Sequence, residues 1–501
     1  MTEQPAIYRL AGASQPGAIR AYLTGLTRSR WLFVVLSLLV LAPCYWQPRV
    51  QAGDLSSHIY NAWLADLIES GRAQGLVIVA QSTNVLFDLM LSGLYRAFGS
   101  EAAQRISVSI AVLVFVWGAF AFVSAVARAR AWHLFACIAM LAYGWVFHMG
   151  FFNFYLSLGL CFWALALLWA PTRARIAAGA AVLALAYFAH ALPVFWTAAL
   201  LLFLWVARRV SPRTLAGLSA ACLVLMVVSH LVISRAIATR WSVQQLALTT
   251  GLDQVWVFDG KYYLVLIGLL MVWGLLFLDL LHREGGRRVV SGIPFHICLI
   301  SAMGVFILPG TMLIPGYQHA LVYIAERMSL GVGICVCGLL GTARPTAVAR
   351  YASVAVALLF FAFLYRDERA LNAFEDRMQD TVAQLEPGLR VVSGIDDPGL
   401  RVNALTHMID RECVGRCYSY ANYEPSTAQF RIRLAGESPI VANNYGESFG
   451  LQRGTYVLKE RDLPLYKLDL DHGQMVVRPL KAGAPCGSTL WKALPDLLSK
   501  S

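Results

Sequence analysis

Long apolar runs recur along this chain, and they restrict its fold more than any other feature. A helix needs about 20 apolar residues to cross a ~30 Å hydrocarbon core. Runs of that order lie at 31–47, 105–127, 131–149, 151–170, 174–191, 192–207, 214–234, 262–281, 290–308, 320–341 and 348–365. They predict an all-α polytopic membrane protein with about eleven transmembrane helices. The composition agrees, because only 14% of the residues are charged, whereas a soluble domain uses roughly 25%.

Arginines between the runs predict the orientation of the chain. Alternate short loops carry them: Arg128 and Arg130; Arg173 and Arg175; Arg208, Arg209 and Arg213; Arg283, Arg287 and Arg288; Arg344 and Arg350. Cytoplasmic loops are enriched in Lys and Arg, so we expect a multi-pass protein of a cell inner (plasma) membrane with a cytoplasmic N-terminus. Because the cations do not form a stripe on one amphipathic face, the net charge of +12 is no sign of a nucleic-acid partner.

Three regions follow from this topology. Residues 1–30 form a cytoplasmic N-terminal segment, residues 31–365 the transmembrane domain, and residues 366–501 an extracytoplasmic C-terminal domain, here called the tail. The transmembrane domain contains a large first extracytoplasmic loop, residues 48–104, here called the first loop. The tail begins with a helical pattern that Pro387-Gly388 stops, and short strand candidates follow at 389–395, 440–442, 456–458 and 475–477. This pattern predicts a small α/β domain.

Cys413 and Cys417 lie in the exported tail, where disulfides persist, and they are a candidate disulfide pair. Two other tail motifs, Asn422-Tyr423-Glu424-Pro425 and Asn443-Asn444-Tyr445-Gly446, are candidates for contact with an acceptor. Asx turns explain their asparagines equally well.

Asp54 is the acid that the sequence singles out, because it follows the first apolar run by about seven residues. An acid at that interface ionises in water and still reaches a cavity between helices. His58, four residues on, falls on the same helical face, so the two side chains are candidates for one catalytic site. The competing interpretation is structural, with Asp54 or Ser56 capping the helix that follows.

The segments around Asp54 resemble the opening of the GT-C superfamily of polyprenyl-phosphate-dependent glycosyltransferases. An acid follows the first membrane helix, an amphipathic helix then ends in glycine, and a second juxtamembrane helix reads Leu86-Phe87-Asp88-Leu89-Met90-Leu91-Ser92-Gly93-Leu94-Tyr95-Arg96-Ala97-Phe98-Gly99. The resemblance covers residues 30–128, and the rest of the chain agrees in architecture. This chain has a single acid at position 54 where the family pattern has an adjacent pair. No metal ligands are therefore assigned, and a divalent cation is the one cofactor left open.

The resemblance implies an integral membrane glycosyltransferase that moves a sugar from a polyprenyl-phosphate-linked donor to an extracytoplasmic acceptor, which is a glycan, a lipid or a protein. Asp54 would then act as general base or orient the acceptor. The departing phosphate would need a cation near the outer interface, for which Arg105, Arg240, Lys261 and Arg327 are candidates. Glu326 and Arg327 both lie near the outer start of an apolar helix, where ionisable groups are costly and often functional, so both are candidates for binding the donor. An internal ion pair or a snorkelling arginine explains them about equally well.

Further polar residues recur at the outer ends of the predicted helices. They are His148, Asn153, His190 and His319, and several such residues on one leaflet predict a polar cavity open to the outside. Of these, Asn153 and His190 join the predicted substrate-binding set. One such histidine alone would more often be an interface residue.

Two functions of other classes compete with the transferase. A transporter or flippase of lipid-linked intermediates would need ionisable residues at helix centres, where this sequence is mostly apolar. A non-catalytic envelope-assembly protein would bind polyprenyl phosphate without turnover. The sequence has no Walker A loop, no dinucleotide-binding glycine fingerprint and no His-Glu-x-x-His motif, so ATP-driven transport is not expected of this chain alone.

Overall fold

The computed structural model describes residues 30–490, and most of them are helical. The helices of this part of the chain are α1 (30–41), α2 (Leu55–Glu69), α3 (Leu86–Ala127), α4 (Phe135–Ala142), α5 (Trp145–Met149), α6 (Phe152–Trp169), α7 (Arg173–Ala189), α8 (Ala191–Ala207), α9 (Pro212–Ala236), α10 (Tyr263–Glu284), α11 (Gly286–Val290), α12 (Ile293–Ile307), α13 (Ile324–Leu340), α14 (Ala347–Val382), α15 (Met408–Glu412), α16 (Glu424–Thr427) and α17 (Tyr445–Gln452). Each of the eleven apolar runs contains helical residues.

Six described helical segments are long and apolar enough to cross a membrane, and three further apolar helices are shorter. A mostly helical chain suited to a multi-pass membrane protein is therefore the architecture, whereas eleven crossings stays a prediction. The most telling helix is α9, because only 6% of its most apolar stretch is buried. A helix that leaves this much apolar surface uncovered is more stable in contact with lipid than with water.

Helices α3 and α6 form the centre of the bundle. Phe115 and Tyr155 stack across them with ring centroids 4.5 Å apart. A β-carbon on Gly118 would lie 2.4 Å from the carbonyl oxygen of Gly159. The two glycines therefore let the helix backbones approach closely, as small residues do in membrane bundles.

The chain divides into two compact units, Met1–Ala42 and Pro43–Ser501. Within the second unit, α14 runs without a break from the last apolar run into the tail. The boundary predicted at residue 366 therefore lies inside a continuous helix. The helix predicted at the start of the tail is confirmed as the last part of α14, which ends at Val382, five residues before Pro387.

Ten short strands complete the described chain: β1 (Leu76–Ile78), β2 (Ala238–Arg240), β3 (Thr311–Leu313), β4 (Arg390–Ser393), β5 (Ile395–Asp396), β6 (Tyr418–Ser419), β7 (Ile432–Leu434), β8 (Tyr466–Asp471), β9 (Gln474–Pro479) and β10 (Thr489–Leu490). The tail sheet has the order β6-β4-β8-β9. Strand β4 is parallel to β6 and β8, while β8 and β9 form an antiparallel hairpin.

The strands predicted at 389–395 and 475–477 coincide with β4, the start of β5 and β9. The strand predicted at 440–442 is wrong, because those residues lie in a turn region. At 456–458 only Val457 takes part in an isolated bridge, to Pro485. Residues 440–442 bury apolar side chains without forming a strand, so burial gave the false signal there.

Strand pairing and the contacts of Arg411 attach the tail to the first loop. Strand β7 pairs antiparallel with β1. The buried Arg411 donates to Ser56 Oγ at 2.8 Å and lies 3.0 Å from Glu375 Oε1 of α14. Breaking a buried ion pair costs about 3–5 kcal/mol, so Arg411 holds the start of α2, α14 and the tail together.

A disulfide joins Cys413 to Cys417. It closes the turn between α15 and β6. The two elements on either side of it carry residues of the candidate site.

Candidate active site

The backbone around Asp54 is fixed by the joint between α5 and α6. The Gly53 amide donates to the carbonyl of His148 at 2.8 Å, and the Asp54 amide donates to the carbonyl of Met149 at 3.0 Å. Gly150 has φ of +84°, and a β-carbon there would lie 2.5 Å from the Asp54 nitrogen. Glycine is therefore required at position 150, since any side chain would push Asp54 away.

The Asp54 carboxylate is not used as a helix cap. Asp54 occupies the N-cap position of α2, but its side chain makes no capping hydrogen bond. Ser56 accepts from Arg411 instead. The capping interpretation is thus wrong for both residues. The Asp54 side chain keeps 19% of its surface exposed, so part of the carboxylate is accessible.

His407 of the tail faces Asp54. Its Nε2 lies 3.9 Å from Asp54 Oδ1, and its Nδ1 lies 3.1 Å from Asp410 Oδ2. Ser419 Oγ donates to the other oxygen of Asp410 at 2.5 Å. Burial lowers the pKa of His407, but the hydrogen bond and charge of Asp410, with Asp54, outweigh it, so that the pKa lies above the ordinary 6.5. Asp410 thus orients the imidazole through Nδ1, on the side away from Asp54, and favours its cationic form.

Arg327, in the first turn of α13, is the cation of the site. Its guanidinium carbon lies 3.8 Å from the centre of the Phe151 ring. Among residues 30–490, no carboxylate forms an ion pair with it within 4.0 Å, and its buried Nε has no hydrogen-bond partner. Among the acidic groups, Asp54 has the largest electrostatic interaction with it. Arg327 is half-buried, and a guanidinium that is partly withdrawn from water without a paired anion can be stabilised by an anionic ligand.

Aromatic rings surround these charges. The ring centroid of Tyr423 lies 5.3 Å from that of His407 and 6.1 Å from that of His319. On the other side, Trp145 and Tyr323 pack against each other at 5.5 Å. The electrostatic interactions of Asp54 and Arg327 with Tyr423 place this ring at the same site.

His58 is paired with Asp88 rather than with Asp54. His58 Nδ1 lies 2.6 Å from Asp88 Oδ1, and the amide of Asn153 donates to Asp88 Oδ2 at 2.7 Å. Burial lowers the pKa of His58, but the paired Asp88 raises it to about 9. The predicted residues His58 and Asn153 therefore meet through Asp88, which lies in the juxtamembrane motif of the first loop.

Glu424 is a second acid that lies close to this group. It is 4% exposed. Burial and the negative charge of Asp88 raise its pKa to about 8, against the opposing charges of His58 and Arg431. Arg431 donates to Ser92. Glu424 and Arg431 of the tail thus lie close to the charged pair of His58 and Asp88 in the first loop.

Two predicted residues, Arg105 and His190, have other hydrogen-bond partners. Arg105 pairs with Glu101 at 2.9 Å and donates to the carbonyl of Pro48 at 2.6 Å, so the structure does not bring it to Asp54. His190 accepts from the Leu192 amide and caps α8, although Arg327 still acts on it electrostatically.

Glu326 lies beside Arg327 in sequence, and its Oε2 has no hydrogen-bond partner in the described chain. Lys261 is also committed elsewhere, because Asp259 and Asp367 both lie 2.7 Å from its ammonium nitrogen. Arg240 is exposed at the end of β2, and no contact in the described chain connects it to Asp54. Among residues 30–490, Arg327 is therefore the candidate cation that interacts with Asp54 and has no carboxylate partner.

Metal ligands do not converge in the described part of the chain. No group of three or more His, Cys, Asp or Glu side chains within residues 30–490 is arranged to hold an ion. The acids near Asp54 are instead engaged with histidines and arginines.

Comparison of the chain with protein-family models, curated proteins and solved structures finds no match. The function therefore has to be argued from the chemistry of the site.

Proposed function

We propose that the protein is an integral membrane glycosyltransferase of the GT-C type, which moves a sugar from a polyprenyl-phosphate-linked donor to an acceptor outside the cytoplasm. The observation that supports this proposal is the presence of a carboxylate and an unpaired guanidinium at one site. Asp54 offers an accessible carboxylate, while Arg327 offers a guanidinium that forms no ion pair within residues 30–490. A transferase of this class needs a base and a phosphate-binding cation.

The reaction assigns a separate role to each group. The acceptor hydroxyl loses its proton to the Asp54 carboxylate as its oxygen forms a bond to the anomeric carbon. The bond from that carbon to the phosphate oxygen breaks, and polyprenyl phosphate leaves with the electron pair. Arg327 stabilises the growing phosphate charge, since a guanidinium binds phosphate through two parallel hydrogen bonds. His407 is a positioning residue that orients Asp54.

The surroundings suit a lipid-linked donor. Helices such as α9 leave apolar surface uncovered, and the Phe151 ring lies against the Arg327 guanidinium. A polyprenyl chain would remain in the lipid while its phosphate reached Arg327. The location in a cell inner membrane and the extracytoplasmic position of the tail are part of this proposal.

The direct test replaces Asp54 by Asn in the full-length protein, reconstituted in nanodiscs, with a radiolabelled polyprenyl-phosphate sugar and a panel of glycan, lipid and peptide acceptors. We expect transfer to fall by about 10²–10⁴-fold, the range for loss of a general base. The matched control is Asp66→Asn on the same helix, because Asp66 pairs at the surface with Arg72 at 3.4 Å; it should transfer normally.

Undiminished transfer by a folded Asp54→Asn protein would refute the role of Asp54. Saturable binding of polyprenyl phosphate by the unaltered protein, without transfer to any acceptor, would instead favour the non-catalytic envelope protein. Repeating the assay with a chelator decides whether a divalent cation takes part.

A further inference from the structure

The tail contains a cavity of about 500 Å³ away from Asp54. Its walls include Arg390, Tyr418, Tyr420, Asn443 and Arg461. Cavities of about 300–1,000 Å³ with a few convergent polar groups are typical small-ligand sites. The cavity is large enough for one or two sugar rings.

The sheet fixes the position of the main polar groups. Arg390 begins β4, Tyr418 begins β6, and the two residues are register partners in the parallel pair. The Arg390 guanidinium carbon lies 5.1 Å from the Tyr420 ring centre. The Tyr420 hydroxyl donates to the buried Asp462 at 2.8 Å, so the ring is held with one face toward Arg390.

Hydrogen bonds also hold Arg390 while leaving part of it free. Its Nε donates to the carbonyl of Pro464 at 3.1 Å, and its Nη1 donates to the carbonyl of Pro439 at 3.2 Å. No acceptor for Nη2 and no carboxylate partner occurs within residues 30–490. Arg461 differs, because Glu447 accepts its hydrogen bond. The Glu437 carboxylate also lines the cavity, but it forms no ion pair with Arg390, so the Arg390 charge is available to an anionic group of a ligand.

Two further polar groups of the cavity wall have no protein partner within residues 30–490. Tyr418 stacks on Trp63 of α2 with ring centroids 5.9 Å apart, and its hydroxyl has no hydrogen-bond partner in the described chain. The side-chain amide of Asn443 has none there either, whereas that of its neighbour Asn444 caps α17 by accepting from Glu447. An amide and a hydroxyl both donate and accept, which matches the hydroxyl groups of a sugar.

We propose that this cavity binds an acidic saccharide unit, with its carboxylate on Arg390 and its hydroxyls on Tyr418 and Asn443. Identifying that unit as part of the acceptor rests on the proposed function. The cavity is connected to the reaction site through β6: Ser419, next to Tyr418, donates to Asp410, which in turn holds His407 against Asp54. The saccharide unit bound in this cavity would belong to the same acceptor molecule whose hydroxyl receives the sugar at Asp54.

The test measures binding and not transfer. Full-length protein in nanodiscs is titrated by calorimetry with tri-galacturonate as the acidic probe and tri-galactose as its neutral counterpart. We expect the acid to bind at least about tenfold more tightly than the neutral probe, the equivalent of one charge-assisted hydrogen bond. Arg390→Gln should abolish this difference, whereas Arg433→Gln, on β7 outside the cavity, should preserve it.

Tyr418→Phe supplies a second variant that removes only one hydroxyl, in case Arg390→Gln disturbs the sheet. It should weaken both probes by several-fold. Equal affinity for the two probes, no saturable binding of either, or unchanged binding by both cavity variants would overturn the proposal. Displacement of tri-galacturonate by an equal concentration of inorganic phosphate would also overturn it, by showing a site for simple anions.

These outcomes are separate from those of the transfer assay. Asp54→Asn should bind tri-galacturonate as the unaltered protein does. If Asp54→Asn loses transfer and neither it nor the unaltered protein binds tri-galacturonate, the proposed transferase function is retained. Only the assignment of the cavity as a saccharide site is then refuted.

Discussion

His407 Nε2 lies 3.9 Å from Asp54 Oδ1, so a tail histidine faces the acid of the first loop. Because Asp410 holds the other ring nitrogen at 3.1 Å, the imidazole has one orientation available. The distance to Asp54 is too long for a hydrogen bond but short enough for a strong charge interaction. The tail therefore contributes to the site itself.

Replacing His407 by Gln should lower transfer about 10- to 100-fold, because Asp54 loses the cation that orients it. Burial lowers the pKa of His407, but Asp410 and Asp54 outweigh burial and raise the pKa above 6.5, so the cation is present at low pH and is lost only as the pH rises through this raised pKa. Transfer by the unaltered protein should fall over the same range. A pH profile of kcat/KM checks this, and an alkaline limb that persists in His407→Gln would contradict it.

Replacing Arg327 by Lys should keep the charge and lose the two-pronged geometry. A lysine ammonium binds phosphate as a point charge, whereas arginine matches two oxygens at once. We expect transfer to fall by about tenfold for Lys and by more for Ala. Measuring kcat and KM for the lipid donor checks this, with Arg96→Lys as the control, since Arg96 pairs with Glu69 at 2.6 Å. Equal activity of all three Arg327 proteins would exclude a phosphate contact.

Glu424 should make the folded protein less stable as the pH rises. Its folded pKa of about 8 lies above the ordinary 4.5, so the folded state keeps a proton that the unfolded state releases between these values. Stability therefore declines across that window. In Glu424→Gln the decline should be smaller and the unfolding temperature at pH 8 higher. Scanning fluorimetry in detergent from pH 5 to pH 8 checks it; identical slopes for both proteins would refute it.

Gly150→Ala should disturb both stability and transfer. The alanine would need φ of +84° and would place its β-carbon 2.5 Å from the Asp54 nitrogen. A strained backbone costs about 1–3 kcal/mol, and any relief moves Asp54. Gly93→Ala is the matched control, because its β-carbon would have nothing within 4 Å; the helix should gain about 0.5–1 kcal/mol. Unfolding temperature and transfer rate are the measurements.

Apolar length predicted the helical positions well, because the rule that relates about 20 residues to one membrane thickness needs no knowledge of tertiary contacts. The same rule did not foresee that α14 continues into the tail. Its apolar part ends near residue 365, but nothing in residues 366–382 breaks a helix.

Asp54 and Arg327 were both found from their places beside apolar runs, but their relationship to His407 and Glu424 was not. Those two residues reach the site through β1–β7 pairing and Arg411, and such long-range contacts leave no spacing pattern. His58 was placed with Asp54 by helical periodicity, whereas Asp88 had the better geometry for it. The motif around Glu424 was noticed only as a candidate acceptor contact.

The contact of Arg411 with Ser56 has a consequence for biosynthesis. The two residues are 355 positions apart, so at about 5–20 residues per second the ribosome needs roughly 20–70 s to add the second after the first. During that time the start of α2 and the acids beside it have no tail to cover them. The start of α2 and its acids must therefore stay exposed to water until Arg411 has been made. In a chain that ends before α15, the tail never covers this polar surface.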